Sequence, residues 1–206
     1  MRILVVTAVA AERDAITAAA PALEVIVGGV GPAAAAAAAA VALSAAPYDL
    51  VVSAGIAGGF APLEPGDIAV AASIVFADLG AMTDAGFVPV SELGFGSERY
   101  EVPPRLAVEL TDRVGGHLGT ILTVATVTGS AEAAQALLDR HPDAVAEAME
   151  GAGVAAAAAV VGVPCAEIRA ISNPVGPRDR AAWRIPEALT ALGRAAASIN
   201  EAGLTA

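Results

Sequence analysis

One carboxylate and one amide lie in a stretch of this sequence that otherwise consists mainly of small apolar residues. Glu150 precedes a run of Gly, Ala and Val, and it is one of only two acidic residues between Met149 and Asn173. Burying a carboxylate is costly unless a partner binds it. Asn173 follows a predicted apolar strand, at the end where open α/β sheets place ligand-contacting groups. We expect both side chains to contact a polar ligand, although a core helix and strand with polar residues placed by chance is the alternative.

Glu12 is a second candidate for chemistry, because it follows the first predicted strand by a few residues. A carboxylate at such a strand end can act as a general base that activates water. Acidic residues are also favoured in the first turn of a helix by the helix dipole alone. Position by itself therefore leaves a catalytic role and a helix-start role open.

Two glycine-rich segments, GGVGP at 28–32 and SAGIAGGF at 53–60, come at predicted strand ends. Glycine lets the backbone approach a ligand closely. Neither segment matches GxGxxG, and neither is followed by the Lys-Ser/Thr pair of a P-loop. The sequence therefore argues against dinucleotide and nucleoside triphosphate sites.

Apolar runs alternate with helix-forming stretches along the whole chain. The predicted strands are Arg2–Thr7, Leu23–Val27, Leu50–Ala54, Ile68–Phe76, Leu118–Val124, a short strand near Val145, and Cys165–Ser172. The predicted helices are Ala10–Ala19, Pro32–Ala45, Pro104–Arg113, Ala131–Arg140, Met149–Val161 and Pro186–Ala202. Continuous Val, Ile and Leu strands that alternate with helices indicate an α/β protein with a mostly parallel sheet covered on both faces. The 206 residues predict one domain over 1–206.

The composition argues against several classes of partner. A net charge of −11 disfavours nucleic acid and anionic membrane surfaces. Hydrophobic residues make up 56% of the chain, but the excess is mostly alanine, and no run reaches the about 20 strongly apolar residues of a spanning helix. The start, MRILVVTAVAAE, imitates a signal peptide, yet a buried strand is the favoured interpretation, which predicts a cytoplasmic protein.

The metal-binding and redox-active residue types are few. Cys165 is the single cysteine and lies in an apolar strand, so it is interpreted as a packing residue. His117 and His141 have no partner at metal-ligand spacing. We therefore predict no metal site.

Three strings of the chain resemble a known family. They are MEGAGVAAAAAVVGVPCAEIRAISNPVG at 149–176, AGIAGG followed by LEPGDIAV within 54–70, and SNPVGPRDRAAW at 172–183. Together they resemble the purine nucleoside phosphorylase/hydrolase family, in particular its nucleosidase branch, and the third is similar to the signature of the futalosine hydrolases. The resemblance covers nearly the whole chain. It implies a three-layer αβα fold around a central, mostly parallel mixed sheet.

The resemblance also implies roles for individual residues. Glu12 and Asn173 are the candidate catalytic residues: Glu12 would activate water, and Asn173 would meet the purine. The candidate substrate-binding residues are Glu150, Met149, Ile56, Gly58, Val127, Phe87 and Trp183. Among these, Met149 and Glu150 would hold the ribose and Trp183 would cover the 5′ substituent, while Ile56 stands where many nucleosidases have Ser.

The implied activity is hydrolysis of the N-glycosidic bond of futalosine, with release of hypoxanthine, in menaquinone biosynthesis. Arg13 stands near Glu12 but without the wider cationic cluster with which the phosphorylases hold phosphate, so water is the expected nucleophile. No cofactor is expected. Two alternatives stay open: an adenine-releasing nucleosidase acting on methylthioadenosine, S-adenosylhomocysteine or aminofutalosine, and a nucleoside-binding protein without turnover.

Asn173 bears on the first alternative, because the adenine-releasing enzymes of the family carry Asp at the matching position. Hypoxanthine presents acceptors at both N7 and O6, and the amide NH₂ of Asn can donate to either or bridge them. An ionised carboxylate would repel both. The sequence therefore favours a 6-oxopurine base.

Four arginines lie within residues 169–184, close to Asn173 in the sequence. Arg178, Arg180 and Arg184 are candidates to pair the benzoate of futalosine or Asp179, and a solvated loop face is equally consistent with them. Arg169, inside a predicted strand, is expected to be a structural partner of a buried acid.

Residues 78–102 break the regular pattern and predict a long loop without secondary structure. The segment holds Phe87 and Phe95 in a chain that is 3% aromatic. Long loops inside a compact domain are usually functional. By the resemblance, this segment crosses the interface of a homodimer or higher homo-oligomer and forms a wall of the neighbour's substrate pocket.

Overall fold

The computed structural model describes residues 1–201, with side chains described as far as residue 199. The strands are Ile3–Thr7 (β1), Glu24–Val27 (β2), Leu50–Gly59 (β3), Ile68–Phe76 (β4), Gly80–Thr83 (β5), Gly86–Pro89 (β6), Arg99–Glu101 (β7), His117–Thr123 (β8), Ala144–Ala148 (β9) and Cys165–Pro174 (β10). The helices are Ala10–Ala19 (α1), Pro32–Ala45 (α2), Pro104–Val114 (α3), Ala131–Arg140 (α4), Gly151–Val161 (α5) and Ile185–Glu201 (α6), with a single 3₁₀ turn at Arg180–Ala182.

Local sequence signals explain where the helices begin and end. The polyalanine helix α2 begins with Pro32, whose fixed φ suits the first helical position. Helix α4 begins after Ser130, whose hydroxyl oxygen accepts the Ala133 N–H at 3.1 Å. Helices α3 and α5 end at left-handed glycines, Gly115 and Gly162.

Every predicted strand and helix is present, and most predicted bounds lie within one or two residues of the observed ones, but the differences in β3 and α5 affect the site. Strand β3 continues to Gly59 instead of ending at Ala54, because residues 55–59 still pair with β10 and β9. Helix α5 begins at Gly151 instead of Met149, which leaves Glu150 in the N-cap position, where its side chain makes no capping hydrogen bond. The predicted end of the last helix, Ala202, falls outside the described residues.

The prediction of a structureless loop over residues 78–102 is wrong. Strands β5 and β6 form an antiparallel hairpin, and β7 pairs with the edge of β4. The hairpin turn is closed by Thr83, whose hydroxyl donates to the Gly86 carbonyl at 2.8 Å. Such short strands with mixed side chains give little periodicity in the sequence.

The central sheet is mixed and mostly parallel. Five of its pairings are parallel, β1–β2, β1–β3, β3–β10, β4–β8 and β8–β9. Three are antiparallel, β4–β10, β3–β9 and β4–β7. Strand β10 pairs with both β3 and β4, so the strands in the order β3, β9, β8, β4, β10 form a closed ring, from which β1 and β2 extend.

Helices cover the sheet on both faces, as expected for an αβα arrangement. Leu4 and Val6 pack with α2 and α5, whereas Val5 between them packs with Ile16 of α1 on the opposite side. This alternation follows from the two-residue period of a strand. Helices α3 and α6 lie on the same side as α1. Within residues 1–201, no helix is both long and apolar enough to cross a membrane.

Candidate active site

A cavity of about 420 Å³ opens where β1, β3, β9 and β10 end. This volume lies within the usual range of small-molecule sites, about 300–1,000 Å³. Strand ends of α/β sheets are where such sites form. Eight of the nine predicted site residues line this cavity: Glu12, Ile56, Gly58, Val127, Met149, Glu150, Asn173 and Trp183.

The Glu12 carboxylate is buried at the start of α1 and is held by backbone N–H groups. Its Oε2 accepts from Ala8 at 2.9 Å and from Val9 at 3.1 Å. Its Oε1 accepts from the Ile56 N–H at 2.9 Å. Each carboxylate oxygen has two acceptor positions, so Oε1 keeps one for a further donor such as water.

Glu150 is buried at the N-terminus of α5 and forms an ion pair with Arg169. The Arg169 Nη1 lies 3.2 Å from Glu150 Oε2, and both side chains are less than one-tenth exposed. Glu150 Oε1 accepts from the Gly31 N–H at 3.2 Å. The expectation that Arg169 is a structural partner of a buried acid is confirmed.

Arg169 is surrounded by three carboxylates. Its Nε donates to Glu167 at 2.8 Å, and its Nη2 donates to the Ser53 hydroxyl at 2.9 Å. A Cβ at Gly55 would lie 2.6 Å from Glu12 Oε1 and 2.7 Å from Arg169 Nη1, so glycine permits this close approach. Burial alone would lower the pKa of the guanidinium, but the surrounding carboxylates outweigh it and raise that pKa.

Glu167 is the member of this group with an unsatisfied atom. It is fully buried, and its Oε2 has no hydrogen-bond partner among the described residues. Burial raises the pKa of Glu167 to about 7, against the pull of Arg169. One arginine cannot neutralise three nearby carboxylates, so a proton on Glu167 relieves the excess negative charge.

Asn173 lies over Gly58 at the end of β10. The two residues face each other in the β3–β10 ladder, and a Cβ on Gly58 would lie 3.6 Å from Asn173 Nδ2. The Ser172 hydroxyl donates to Asn173 Oδ1 at 2.7 Å, and Nδ2 donates to the Pro174 carbonyl at 2.9 Å. These contacts orient the amide and leave the second Nδ2 hydrogen free to donate to a ligand.

Sequence reasoning missed Glu147, which lines the same cavity and is 6% exposed. Its Oε1 accepts from the Thr128 N–H at 2.9 Å, and its Oε2 accepts from the Thr128 hydroxyl. Burial raises the pKa of Glu147 although these hydrogen bonds act in the opposite direction. The sequence shows only an acidic residue in a short strand. The burial of Glu147 depends on the position of β9 between β3 and β8, which the local sequence does not indicate.

Trp183 and Arg178 form the outer wall of the cavity. The Arg178 guanidinium lies 5.6 Å from the centroid of the Trp183 ring, and both residues line the cavity. The other two arginine candidates are not lining residues: Arg180 lies over the Trp183 ring at 5.9 Å, and Arg184 pairs with Glu187. Of the described residues in the cavity lining, Arg178 is the one with a cationic side chain.

Phe87 is the predicted site residue that the structure does not bring to this cavity. Its ring lies in the β5–β6 hairpin, where the Arg140 guanidinium is 4.4 Å from its centroid. Phe87 does not line this cavity within the protomer, and its predicted contact with a substrate in a neighbouring copy stays a prediction. Within residues 1–201, no group of three or more His, Cys, Asp or Glu side chains could hold a metal ion.

The fold and the cavity define an enzyme of the nucleoside phosphorylase and nucleosidase class. The family model described as "Phosphorylase superfamily" matches residues 13–204. The 5′-methylthioadenosine/S-adenosylhomocysteine nucleosidase of Neisseria meningitidis, solved in complex with methylthio-immucillin-A, superposes with a TM-score of 0.84 at 18% identity, over 98% of this chain and 100% of that one. At that identity the likeness shows the fold.

Curated relatives define the family more narrowly. The futalosine hydrolase of Streptomyces coelicolor is 53% identical, over 93% of this chain and 92% of that protein. The futalosine hydrolase of Acidothermus cellulolyticus is 46% identical, over 97% of this chain and 90% of that protein. The chain belongs to the phosphorylase superfamily and, within it, to the futalosine hydrolase family.

Proposed function

We propose that the protein hydrolyses the N-glycosidic bond of futalosine, releasing hypoxanthine and dehypoxanthine futalosine, as a step of menaquinone biosynthesis. The observation that carries this proposal is the orientation of the Asn173 amide over Gly58. Because the Ser172 hydroxyl holds Oδ1, the amide presents an N–H donor to the cavity. Hypoxanthine offers acceptors at N7 and O6, and a donor there complements both.

Glu12 is the proposed general base. A water molecule bound at the free acceptor position of Oε1 would lose its proton to Glu12 as its oxygen bonds to C1′ of the ribose. The C1′–N9 bond breaks, and its electron pair leaves with the base. Since Asn173 has no proton to give, the base takes its proton from solvent or from another group, and Asn173 stabilises it by hydrogen bonding.

Glu150 and Met149 are the proposed ribose contacts. Glu150 Oε1 keeps an acceptor position beyond its bond to the Gly31 N–H, and can accept from ribose hydroxyls. A carboxylate near the sugar also stabilises the positive charge that develops on the ring. Met149 adds an adaptable apolar surface.

Trp183 and Arg178 are the proposed contacts of the 5′ substituent. Futalosine carries a benzoate on its 5′ side chain, which needs an aromatic surface and a cation. Trp183 and Arg178 supply this pair at the outer wall of the cavity. A guanidinium binds a carboxylate through paired hydrogen bonds.

The proposal is tested by incubating catalytic amounts of protein with futalosine, aminofutalosine and methylthioadenosine in parallel, in phosphate-free buffer. We expect many equivalents of hypoxanthine from futalosine and little adenine from the other two. Release of one equivalent or less would identify a binding protein, and a requirement for phosphate would identify a phosphorylase. Adenine as the main product would favour an adenine-releasing nucleosidase.

We further propose a homodimer or higher homo-oligomer in the cytoplasm. Met82 is 79% exposed and Phe95 is 81% exposed, both within residues 78–102, and large apolar side chains of this kind favour a protein interface. Phe87 would then wall the pocket of a neighbouring copy. Residues Ile3–Thr7, which lie in the part of the sequence that imitates a signal peptide, form strand β1 and pair on both sides within the sheet.

A further inference from the structure

Glu167 is a fully buried acid to which the proposed reaction gives no role. It lies two residues before Arg169 in β10, so the two side chains are on the same face of the sheet. Its Oε1 accepts from Arg169 Nε at 2.8 Å. Glu167 is outside the described lining of the cavity, so any effect on the reaction must pass through a neighbouring side chain.

The Arg169 guanidinium is the neighbour that connects Glu167 to the site. Its Nε donates to Glu167, and its Nη2 donates to the hydroxyl of Ser53, which is opposite Glu167 in the β3–β10 ladder. Its Nη1 lies 3.2 Å from Glu150 Oε2. A guanidinium is planar and rigid, so the acceptors at Nε and Nη2 fix the direction in which Nη1 points.

A second carboxylate lies close to the same Nη1. A Cβ at Gly55 would lie 2.7 Å from Arg169 Nη1 and 2.6 Å from Glu12 Oε1, so both atoms border one small gap. Without an acceptor at Nε, the guanidinium would have a buried N–H unpaired, which costs free energy. It would then be free to turn from Glu150 toward Glu12.

The Glu167 carboxyl also lies against the start of α5, directly after Glu150. A Cβ at Gly151 would lie 2.0 Å from Glu167 Oε2 and 2.4 Å from its Cδ, so glycine leaves the room that this carboxyl occupies. Oε2 has no hydrogen-bond partner among the described residues. A buried polar atom without a partner is unfavourable, and the contact of Oε1 with Arg169 is the interaction that offsets this cost.

We propose that Glu167 is a positioning residue, which holds Arg169 Nε so that Nη1 fixes the Glu150 carboxylate in the orientation that binds ribose. This inference rests on the proposed function, in which Glu150 stabilises the positive charge on the sugar ring. The role needs a hydrogen-bond acceptor at Oε1 and does not need a negative charge. Burial raises the pKa of Glu167 to about 7, and a protonated carboxyl still accepts through its carbonyl oxygen.

Two conservative variants separate position from charge. Glu167→Gln keeps the length of the side chain and its acceptor, because the Arg169 Nε–H can only donate and so retains the amide oxygen. Glu167→Asp keeps the charge, but it is shorter by one methylene group and no longer reaches Nε. The kcat and KM for futalosine are measured for both, with Glu132→Gln, which changes an exposed acid on α4, as the matched control.

We expect Glu167→Gln and Glu132→Gln to keep most of the wild-type kcat/KM. Glu167→Asp should lower it about 10- to 100-fold, the cost of a misplaced catalytic group. The loss should lie in kcat, because Glu150 acts on charge that develops in the transition state. The reverse order, with Glu167→Asp active and Glu167→Gln impaired, would show that charge matters instead of position and would overturn the proposal.

A double-mutant cycle with Glu150→Gln shows whether the effect passes through Glu150. If it does, Glu167→Asp should cost less than about 3-fold in the Glu150→Gln background, because the carboxylate that it misplaces is already gone. An equal cost in both backgrounds would show that Glu167 supports only the fold, and the proposal would be overturned.

Gly151→Ala keeps the proposal testable where Glu167→Asp does not fold. The added methyl group displaces the end of the Glu167 side chain and leaves both carboxyl groups chemically unchanged. We expect kcat to fall about 10-fold or more, and a wild-type kcat would contradict the proposal. Absence of hypoxanthine release from futalosine by the wild type would count against the proposed function instead.

Discussion

Glu12 is the residue on which the proposed chemistry depends most. Its carboxylate accepts from three backbone N–H groups. Those of Ala8 and Val9 follow strand β1, and that of Ile56 lies in strand β3. Such a residue also helps to fix the start of α1. A catalytic test must therefore separate loss of the base from loss of this local structure.

We predict that Glu12→Gln lowers kcat by about 10²- to 10⁴-fold, the usual cost of losing a general base. Binding of substrate, measured by calorimetry, should be largely intact, because Gln keeps the shape of the side chain. In the variant, the NH₂ group of the new side chain faces a backbone N–H that the carboxylate accepted from. The melting temperature, measured in parallel, shows whether the fold tolerates this change. A variant with near wild-type kcat would show that another group activates the water.

Asn173 governs the choice of base in the same cavity. Asn173→Asp places a carboxyl where the amide donates, which repels N7 and O6 when ionised and suits the N7 and C6 amino group of adenine when protonated. We predict that the substitution shifts the ratio of kcat/KM for futalosine over aminofutalosine toward aminofutalosine. An unchanged ratio would remove Asn173 from base selection. Asn173→Ala is the control, since loss of the donor alone should weaken futalosine turnover without favouring aminofutalosine.

The site residues that could be predicted from the sequence are polar or charged residues within apolar stretches. Glu150, Arg169 and Asn173 stand out in apolar strings, and all three lie at or beside the cavity. Glu147 did not stand out, because its partner Thr128 is 19 residues away and its burial depends on two neighbouring strands. Tertiary pairing of this kind is not contained in a local pattern.

At the scale of elements, the segment between β10 and α6 brings the outer wall to the cavity. It follows Asn173 directly, and its 3₁₀ turn is capped by Asp179, whose side chain accepts the Ala181 N–H at 3.1 Å. Trp183 comes immediately after this turn. The same chain segment thus holds a base contact and a 5′ contact.

We predict that Trp183→Ala raises the KM for futalosine about 2- to 12-fold more than the KM for inosine, because an aromatic contact adds about 0.5–1.5 kcal/mol beyond its buried area. Trp183→Phe should keep most of the difference. Equal losses for the two nucleosides would place Trp183 outside the 5′ pocket. Steady-state kinetics with both substrates decide between these outcomes.

Strand β10 also carries the buried acid whose titration affects stability. The pKa of Glu167 is raised from 4.5 to about 7 in the folded protein, so between these values the folded state binds a proton that the unfolded state has lost. Raising the pH from 5 to 8 removes that proton, and the free energy of unfolding should fall by on the order of 2–3 kcal/mol from this group. Glu167→Gln has no such proton to lose.

Urea unfolding at pH 5 and pH 8 measures this effect at a fixed protein concentration. We expect the loss of stability over this interval to be smaller in Glu167→Gln than in wild type. Glu132→Gln, which changes an exposed acid, should follow the wild type. Parallel curves for Glu167→Gln and wild type would show that Glu167 is already ionised at pH 5.

The elements themselves were largely predictable, since apolar runs and alanine-rich stretches mark them. Helices α1, α2 and α4 and strand β4 have the predicted bounds. For α2 and α4 the local signals are Pro32 at the first helical position and Ser130 as the N-cap. The continuation of β3 through Gly59 was not predictable from composition, as glycine and alanine are poor strand formers. The pairing partners of β10, on which this continuation and the ring of five strands depend, are remote in sequence.

At the scale of the whole molecule, the exposed apolar residues of 78–102 predict self-association. Replacing both Met82 and Phe95 by Ser should shift the protein toward the monomer in sedimentation experiments, because it removes apolar area from the proposed interface. The matched control is Val41→Ser, on α2, which is 72% exposed and lies outside this segment. An oligomer that survives the double substitution would place the interface elsewhere.

The whole molecule combines a net charge of −11 with a cavity whose described lining has one cationic side chain, Arg178. Such a site has little capacity to hold phosphate as a co-substrate, which is consistent with water as the nucleophile. In the proposed function, water is therefore the nucleophile and Asn173 selects the base.

The most direct test is the ratio of kcat/KM for futalosine and aminofutalosine with wild-type protein in phosphate-free buffer. These substrates differ only at C6 and N1 of the base, and C6 carries the group that Asn173 would contact. A site built for one hydrogen-bonding pattern can reject the other by about 10⁴-fold or more. We predict a preference for futalosine of at least about 10²-fold, and comparable values for the two substrates would contradict the proposed function.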